Sequence, residues 1–272
     1  MQLPLFQVDA FEEGPFTGNP AAVVPLEQPI HDGLMQQIAE ENNLSETAFT
    51  APIPDAEGDA PTFALRWFTP TTEVDLCGHA TLAAAAALRD LGALEGAARV
   101  HFSTRSGPLT ASLGPGDQVE IDLPAAVPTR APGRDQLDAI ERALDAPVEA
   151  VFLHRYALAI LPSEEAVRAL DPREDHLRRA EIPIIATAAS PSAGVDFVSR
   201  FFAPTLGVPE DPVTGSAHCQ LVPYWAAQLG KHRLTARQVS ARGGLLHCEL
   251  EGERVRMAGG ARIYLRGTIH VG

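Results

Sequence analysis

Two short segments carry much of the chemistry open to this chain: Asp75-Leu76-Cys77-Gly78-His79-Ala80-Thr81 and Asp211-Pro212-Val213-Thr214-Gly215-Ser216-Ala217-His218. In each, a Gly opens an apolar run of helical character. The N-terminus of a helix presents N–H groups without intrahelical partners and a partial positive charge. Gly78 and Gly215 therefore begin segments suited to a carboxylate or an enolate-like oxygen. Close helix packing alone would also account for both glycines. A thiol at a helix start is expected to titrate low and could carry a proton, which is the role open to Cys77. His79 can donate to a substrate oxygen or exchange a proton near neutral pH, or simply cap the helix. In the second segment Ser216 is placed to cap its helix. Asp211 is held extended by the Pro that follows it, so an acid, two hydroxyls and a Gly form a polar wall.

A third candidate is Glu46, in Asn42-Asn43-Leu44-Ser45-Glu46-Thr47-Ala48-Phe49. A helix over about 32–41, with Leu34, Met35 and Ile38 inward, is expected to turn through Asn42-Asn43 into a short strand. Alternation puts Leu44, Glu46 and Ala48 on one face. If that face is inside, desolvation raises the Glu46 pKa toward the range useful for general acid/base work. If Phe49 faces the core instead, Glu46 is an ordinary exposed carboxylate.

Other chemistries lack their residues. No GxGxxG follows a strand, and no phosphate loop, HExxH or GxSxG occurs. The nine His are scattered without metal spacing, and the three Cys (Cys77, Cys219, Cys248) form no CxxC. The expectation is proton transfer with no cofactor and no metal. A formal charge of −14 disfavours nucleic acid and anionic membranes. The N-terminal residues carry no basic region followed by a long apolar run, and the apolar stretch around Ala83–Leu88 is too short to span a bilayer, so a cytoplasmic protein is expected.

The elements that position these residues come in duplicate. Arg66-Trp-Phe-Thr-Pro-Thr71 reads against Arg200-Phe-Phe-Ala-Pro-Thr205 at an offset of 134. Cys77-Gly78-His79-Ala80 reads against Thr214-Gly215-Ser216-Ala217 at 137, and Arg105-Ser106-Gly107 against Arg242-Gly243-Gly244 at 137 again. Each half has a strand, a Pro-containing loop, and a helix closed by Leu-Gly: about 79–91 before Gly92, and about 216–229 before Gly230. The first helix is apolar on nearly all sides and so reads as buried. Pro223 interrupts the second, at the cost of one internal hydrogen bond. Alternating strands follow each helix, over 100–113 and 119–123, then 239–250 and 254–257. The reading is an α+β protein of two similar domains, 1–124 and 125–272, related by a pseudo-two-fold with both helix starts at one cleft. Segment 125–134 serves as linker. Residues 261–269 alternate as a strand that could pair back onto the first half.

Four ordered motifs then resemble one family. They are Val8-Asp9-Ala10-Phe11 with Gly18-Asn19-Pro20-Ala21-Ala22-Val23, Asn43-Leu44-Ser45-Glu46-Thr47, Asp75-Leu76-Cys77-Gly78-His79-Ala80-Thr81, and Asp211-Pro212-Val213-Thr214-Gly215-Ser216-Ala217. Together they resemble the PhzF-like phenazine-biosynthesis isomerases over the whole chain. The resemblance implies the diaminopimelate-epimerase-like fold, a β-barrel-like sheet around a central helix in each domain, and a homodimer. It implies that Glu46 shuttles the proton, with His79 and Asp211 assisting and with Asn19, Cys77, Gly78, Gly215 and Ser216 binding a small anionic metabolite. Epimerase relatives use two opposed Cys. Cys77 fits the first position, but Thr214 stands at its duplicate, which counts against a two-thiol racemase. An amino-acid epimerase using Cys77, and a metabolite-binding protein without turnover, are the competing readings.

Overall fold

The computed structural model describes residues 1–54, 56, 58–131 and 133–271. Its chain divides into two compact units, Met1–Leu123 with Met257–Gly272, and Pro124–Arg256. The C-terminal residues 257–272 thus leave the second half and join the first, as the alternating strand read over 261–269 allowed. The reason is pairing: the last strand lies antiparallel to the first, with Gln2 opposite His270 and Ala10 opposite Ala261.

Unit 1 contains β1 (Gln2–Glu12), β2 (Asn19–Pro25), α1 (Asp32–Asn42), β3 (Glu46–Pro52), β4 (Thr62–Phe68), β5 (Glu73–Val74), α2 (Gly78–Asp90), β6 (Arg99–Thr104), β7 (Gly107–Leu113) and most of β8 (Gln118–Pro124). Unit 2 contains β9 (Thr129–Arg130), α3 (Arg134–Leu144), β10 (Ala150–Leu153), β11 (Ala157–Ile160), α4 (Glu164–Arg168), α5 (Glu174–Arg179), β12 (Ile184–Ala189), β13 (Phe197–Ala203), β14 (Val208–Asp211), α6 (Gly215–Leu229), β15 (Arg233–Gln238) and β16 (Gly244–Glu251). The long β17 (Arg254–His270) begins in unit 2 and continues in unit 1.

The duplication read from the sequence extends to strand pairing. In unit 1 the pairs β1–β2, β3–β4, β4–β5 and β6–β7 are antiparallel, while β2–β3 and β4–β6 are parallel. In unit 2 the pairs β10–β11, β12–β13, β13–β14 and β15–β16 are antiparallel, while β11–β12 and β13–β15 are parallel. Side chains repeat as well. Arg66 grips Glu73 through two bonds of 2.7 and 2.8 Å and lies over Phe68. Arg200 grips Glu210 through bonds of 2.7 and 2.9 Å and lies over Phe202. Each fork ties the central strand to the short strand that leads into the following helix.

Helix α2 packs against β1, β2, β3 and β7, and every residue from Gly78 to Leu88 is buried. Five consecutive Ala (Ala83–Ala87) let surrounding strands approach it closely on all sides. Helix α6 packs on β15 and β16, and Trp225 stacks on Phe197 of β13. The Pro223 problem is solved locally. Pro223 has no N–H to give to the Cys219 carbonyl four residues earlier. The N–H of Ala126 donates to that carbonyl instead, at 2.8 Å. Segment 125–134 is therefore more than a linker: it closes the gap in α6 and contributes β9, which pairs with β10. Pro132 of that segment lies outside the described residues. Among the described residues, no helix is long and apolar enough to cross a membrane.

Candidate active site

In unit 1 the sheet order brings the predicted residues together. Asn19 begins β2 and Glu46 begins β3, and these strands run parallel with Ala21 opposite Glu46. Their first residues therefore lie at the same end of the sheet. Asn43 makes this possible by adopting a left-handed conformation (φ 48°) that ends α1 and turns the chain into β3. The strand starts at Glu46, so Leu44 lies outside it, and both faces of its interior are buried. Phe49 fills a core with Met35, Ile38 and Phe68. Glu46 is mostly covered at the strand mouth, its side chain 16% exposed.

Helix α2 starts beside this end. The imidazole of His79, almost wholly buried, places Nε2 at 3.1 Å from Oε2 of Glu46. The pair is close but its angles miss hydrogen-bond geometry, and neither atom has a hydrogen-bond partner. On its other edge, Nδ1 lies 3.2 Å from Nδ2 of Asn19 and 3.5 Å from Sγ of Cys77. Ser45 Oγ reaches Oδ1 of Asn19 at 3.4 Å. Asn19 is completely buried, so it orients His79 from behind. The N-cap residue Cys77 makes no side-chain cap bond.

Burial works against charge on His79, but the Cys77 sulfur and the Glu46 carboxylate outweigh it and hold the imidazole well above 6.5. The expectation of a low-titrating thiol is overturned. Burial, reinforced by the Glu46 carboxylate, pushes Cys77 up to about 11. The helix start does lend it positive potential, yet a buried thiolate beside a carboxylate costs more than that potential returns. With the thiol protonated, the Glu46 carboxylate is the neighbour that favours the imidazolium form of His79.

In unit 2 the second motif is also tightly built. Asp211, at the end of β14, accepts a 2.5 Å hydrogen bond from Thr214 Oγ1. Gln238 Nε2 donates to the Asp211 carbonyl at 2.7 Å, and Gln238 Oε1 accepts from the Thr214 N–H at 2.9 Å. Sequence reading offered Ser216 as the cap of α6, but Ser216 does not cap it. The N-cap position is Thr214, and the Ser216 hydroxyl lies in the first turn, 3.0 Å from the phenol of Tyr156. His218 donates through Nδ1 to the Thr214 carbonyl at 2.8 Å, and burial holds its pKa down at about 4. It is neutral, a helix-start support. Thr81 plays the same part in unit 1, donating to the Cys77 carbonyl at 2.6 Å.

Sequence reading missed Tyr156 and Gln238 as members of this cluster. Tyr156 and Gln238 reach it from β-strand neighbourhoods 60 and 24 residues away, with no local signal. Thr214 was legible as the hydroxyl three residues after Asp211.

The sequence matches the model of the family described as phenazine biosynthesis-like protein over residues 8–267. Two uncharacterized isomerases of Pseudomonas aeruginosa are 49% and 47% identical, each aligned over the whole of both chains. A crystal structure of a phenazine biosynthesis protein of the PhzF family from Enterococcus faecalis superposes with a TM-score of 0.91 at 42% identity, covering both chains fully. A hydroxyproline epimerase from Agrobacterium vitis shares the fold at a TM-score of 0.64 and 12% identity, over 98% of this chain and 92% of its own.

Proposed function

The chain belongs to the phenazine biosynthesis-like family and is an isomerase, and from that premise we propose that it moves a proton between carbons of a small carboxylate-bearing metabolite with Glu46 as the single acid/base. The observation that carries this reading is the buried pair of Glu46 and His79, 3.1 Å apart with neither facing atom hydrogen-bonded. The Glu46 carboxylate takes a proton from carbon, and charge moves onto the conjugated oxygen of the substrate. The imidazolium of His79 stabilises that oxyanion, as does the uncapped start of α2. Glu46 then returns the proton to a nearby carbon on the same face. One base on one face supports a shift and not an inversion. Asp211, Gly215 and Ser216 of unit 2 are assigned to substrate binding on their motif and chemistry.

The competing epimerase reading needs Cys77 to act as a base. A thiol pushed up to about 11 is a poor base at neutral pH, and Thr214 offers no second thiol. A homodimer working in the cytoplasm completes the proposal, and light scattering on the purified protein tests the dimer. The deciding experiment screens small carboxylates by thermal shift, then follows the hits in D2O. A moved double bond, with internal return or wash-in of deuterium, is expected. Inversion at a single carbon would replace this reading with the epimerase. Tight binding without either would make the protein a binder.

A further inference from the structure

Glu46, Cys77 and His79 present one ligand atom each, all within 4.8 Å of one another. We propose that this trio takes up a zinc-class divalent cation in place of the proton it otherwise handles, so that Zn2+ switches the site off. Three features of unit 1 support this. First, Oε2 of Glu46 and Nε2 of His79 are buried and face each other at 3.1 Å without a hydrogen bond. Two ligand atoms on one tetrahedral zinc, with bonds of about 2.0–2.1 Å, stand about 3.3 Å apart, so the two side chains are already near ligation distance. Second, the donor set is carboxylate, imidazole and thiol. That set prefers Zn2+ or Co2+ and gives Mg2+, which demands oxygen ligands, little to hold. Third, the supporting partner is present. Asn19 sits at 3.2 Å from Nδ1, with Ser45 behind it. If its amide turns to present oxygen, it accepts from the Nδ1–H of a ligating imidazole and fixes the ring.

The cost falls on Cys77. Its sulfur now lies on the Nδ1 side of the ring, at 3.5 Å. Ligation through Nε2 asks the thiol to change rotamer and give up its proton. On a tetrahedral zinc a sulfur at about 2.3 Å and a nitrogen at about 2.1 Å stand roughly 3.6 Å apart, so the three ligand atoms, which lie within 4.8 Å of one another, draw together on binding. Glu46, still partly exposed, is the side from which the ion enters. Three protein ligands leave a fourth position open to water.

The uptake of metal goes beyond the proposed reaction, while its inhibitory effect rests on that reaction. The test uses the full-length protein and Co2+ as probe. A 1:1 complex with near-ultraviolet thiolate-to-cobalt absorption is expected, displaced by Zn2+ and untouched by Mg2+. Cys77→Ser should abolish the absorption, and a circular dichroism spectrum should confirm that the variant is folded. Losing a supporting group around a metal ligand typically costs ~10–100-fold in affinity, so Glu46→Gln and His79→Gln should each weaken Zn2+ by at least that. An absorption band that survives Cys77→Ser, or no Co2+ uptake by folded wild-type protein, would overturn the site. A cobalt band in the wild type together with full turnover in Glu46→Gln would sink the proposed reaction and leave the metal site standing.

Discussion

The two units share a strand order but differ in what stands at the end of it. Thr50 faces Leu65 across β3–β4, and Thr187 faces Ser199 across β12–β13, which aligns β3 with β12 at an offset of 137. At that offset Glu46 corresponds to Pro183, Cys77 to Thr214 and His79 to Ser216. One unit thus holds a carboxylate against an imidazole, and the other offers hydroxyls around Asp211. The scaffold was copied with its Arg–Glu forks and helix-start supports, and the chemistry was not. A shared topology is set by pairing and packing, which tolerate many side chains. A proton-transfer pair needs particular atoms placed to within a few tenths of an ångström, and a single substitution at a strand mouth removes it.

The comparison is tested most severely by Glu46→Gln. The variant keeps shape and hydrogen bonding but has no basic oxygen. Turnover on a substrate found by screening should fall by about 10²–10⁴-fold while ligand still binds. Asp211→Asn in unit 2 should cost less and act mainly on KM. Steady-state kinetics on both variants check the asymmetry, and equal losses would erase the distinction between the units.

A structural asymmetry comes next. Of the two central helices, α6 alone carries an internal Pro, and the Cys219 carbonyl accepts from the Ala126 N–H. Ala126→Pro removes that buried hydrogen bond, which should cost ~1–3 kcal/mol in urea denaturation. The unbroken α2 offers no equivalent site. Unchanged stability would mean that another group caps the carbonyl.

His79 gives a pH signature that its counterpart Ser216 cannot. Its folded pKa is raised above the unfolded value near 6.5. The stabilisation is therefore fully present below pH ~6.5 and is lost as pH rises through the folded pKa. Denaturant melts across this window should show the decline. Glu46→Gln, by removing the neighbouring negative charge, should lower the His79 pKa in an NMR titration and flatten the slope. A His79 that titrates at or below 6.5 in the wild type would break the ion-pair description.

The smallest effect concerns the copied forks. Lys keeps the charge of Arg but loses the bidentate grip. Arg200 is more buried than Arg66 and also donates to the Leu170 carbonyl at 2.5 Å. Arg200→Lys should therefore destabilise by ~1–2 kcal/mol, and Arg66→Lys by less, since its fork partly faces solvent. Thermal melts of the two variants give the order.

Features that follow from local pattern were legible along the chain. Glycine stops, alternating apolar residues and one repeated offset were enough to place α2, α6 and the duplication, because helix ends and strand faces follow from chemistry within a few residues. Glu46, His79 and Cys77 were legible as reactive types at a strand and a helix start. How they behave depends on neighbours that the fold brings to them. The fate of the Cys77 proton depended on burial and on Glu46, which is 31 residues away in the chain, and both favoured the neutral thiol over the local pull of the helix start. Ser216, read as a cap, lies inside the first turn and meets Tyr156 from 60 residues away, while Thr214 at the N-cap position gives its hydroxyl to Asp211. The break at Pro223 was mended by Ala126, and the last strand returned to the first because hydrogen-bonding edges pair in space without regard to chain order. Electrostatics and hydrogen-bond satisfaction act over a few ångströms between residues that the fold brings together, and sequence spacing does not carry that distance.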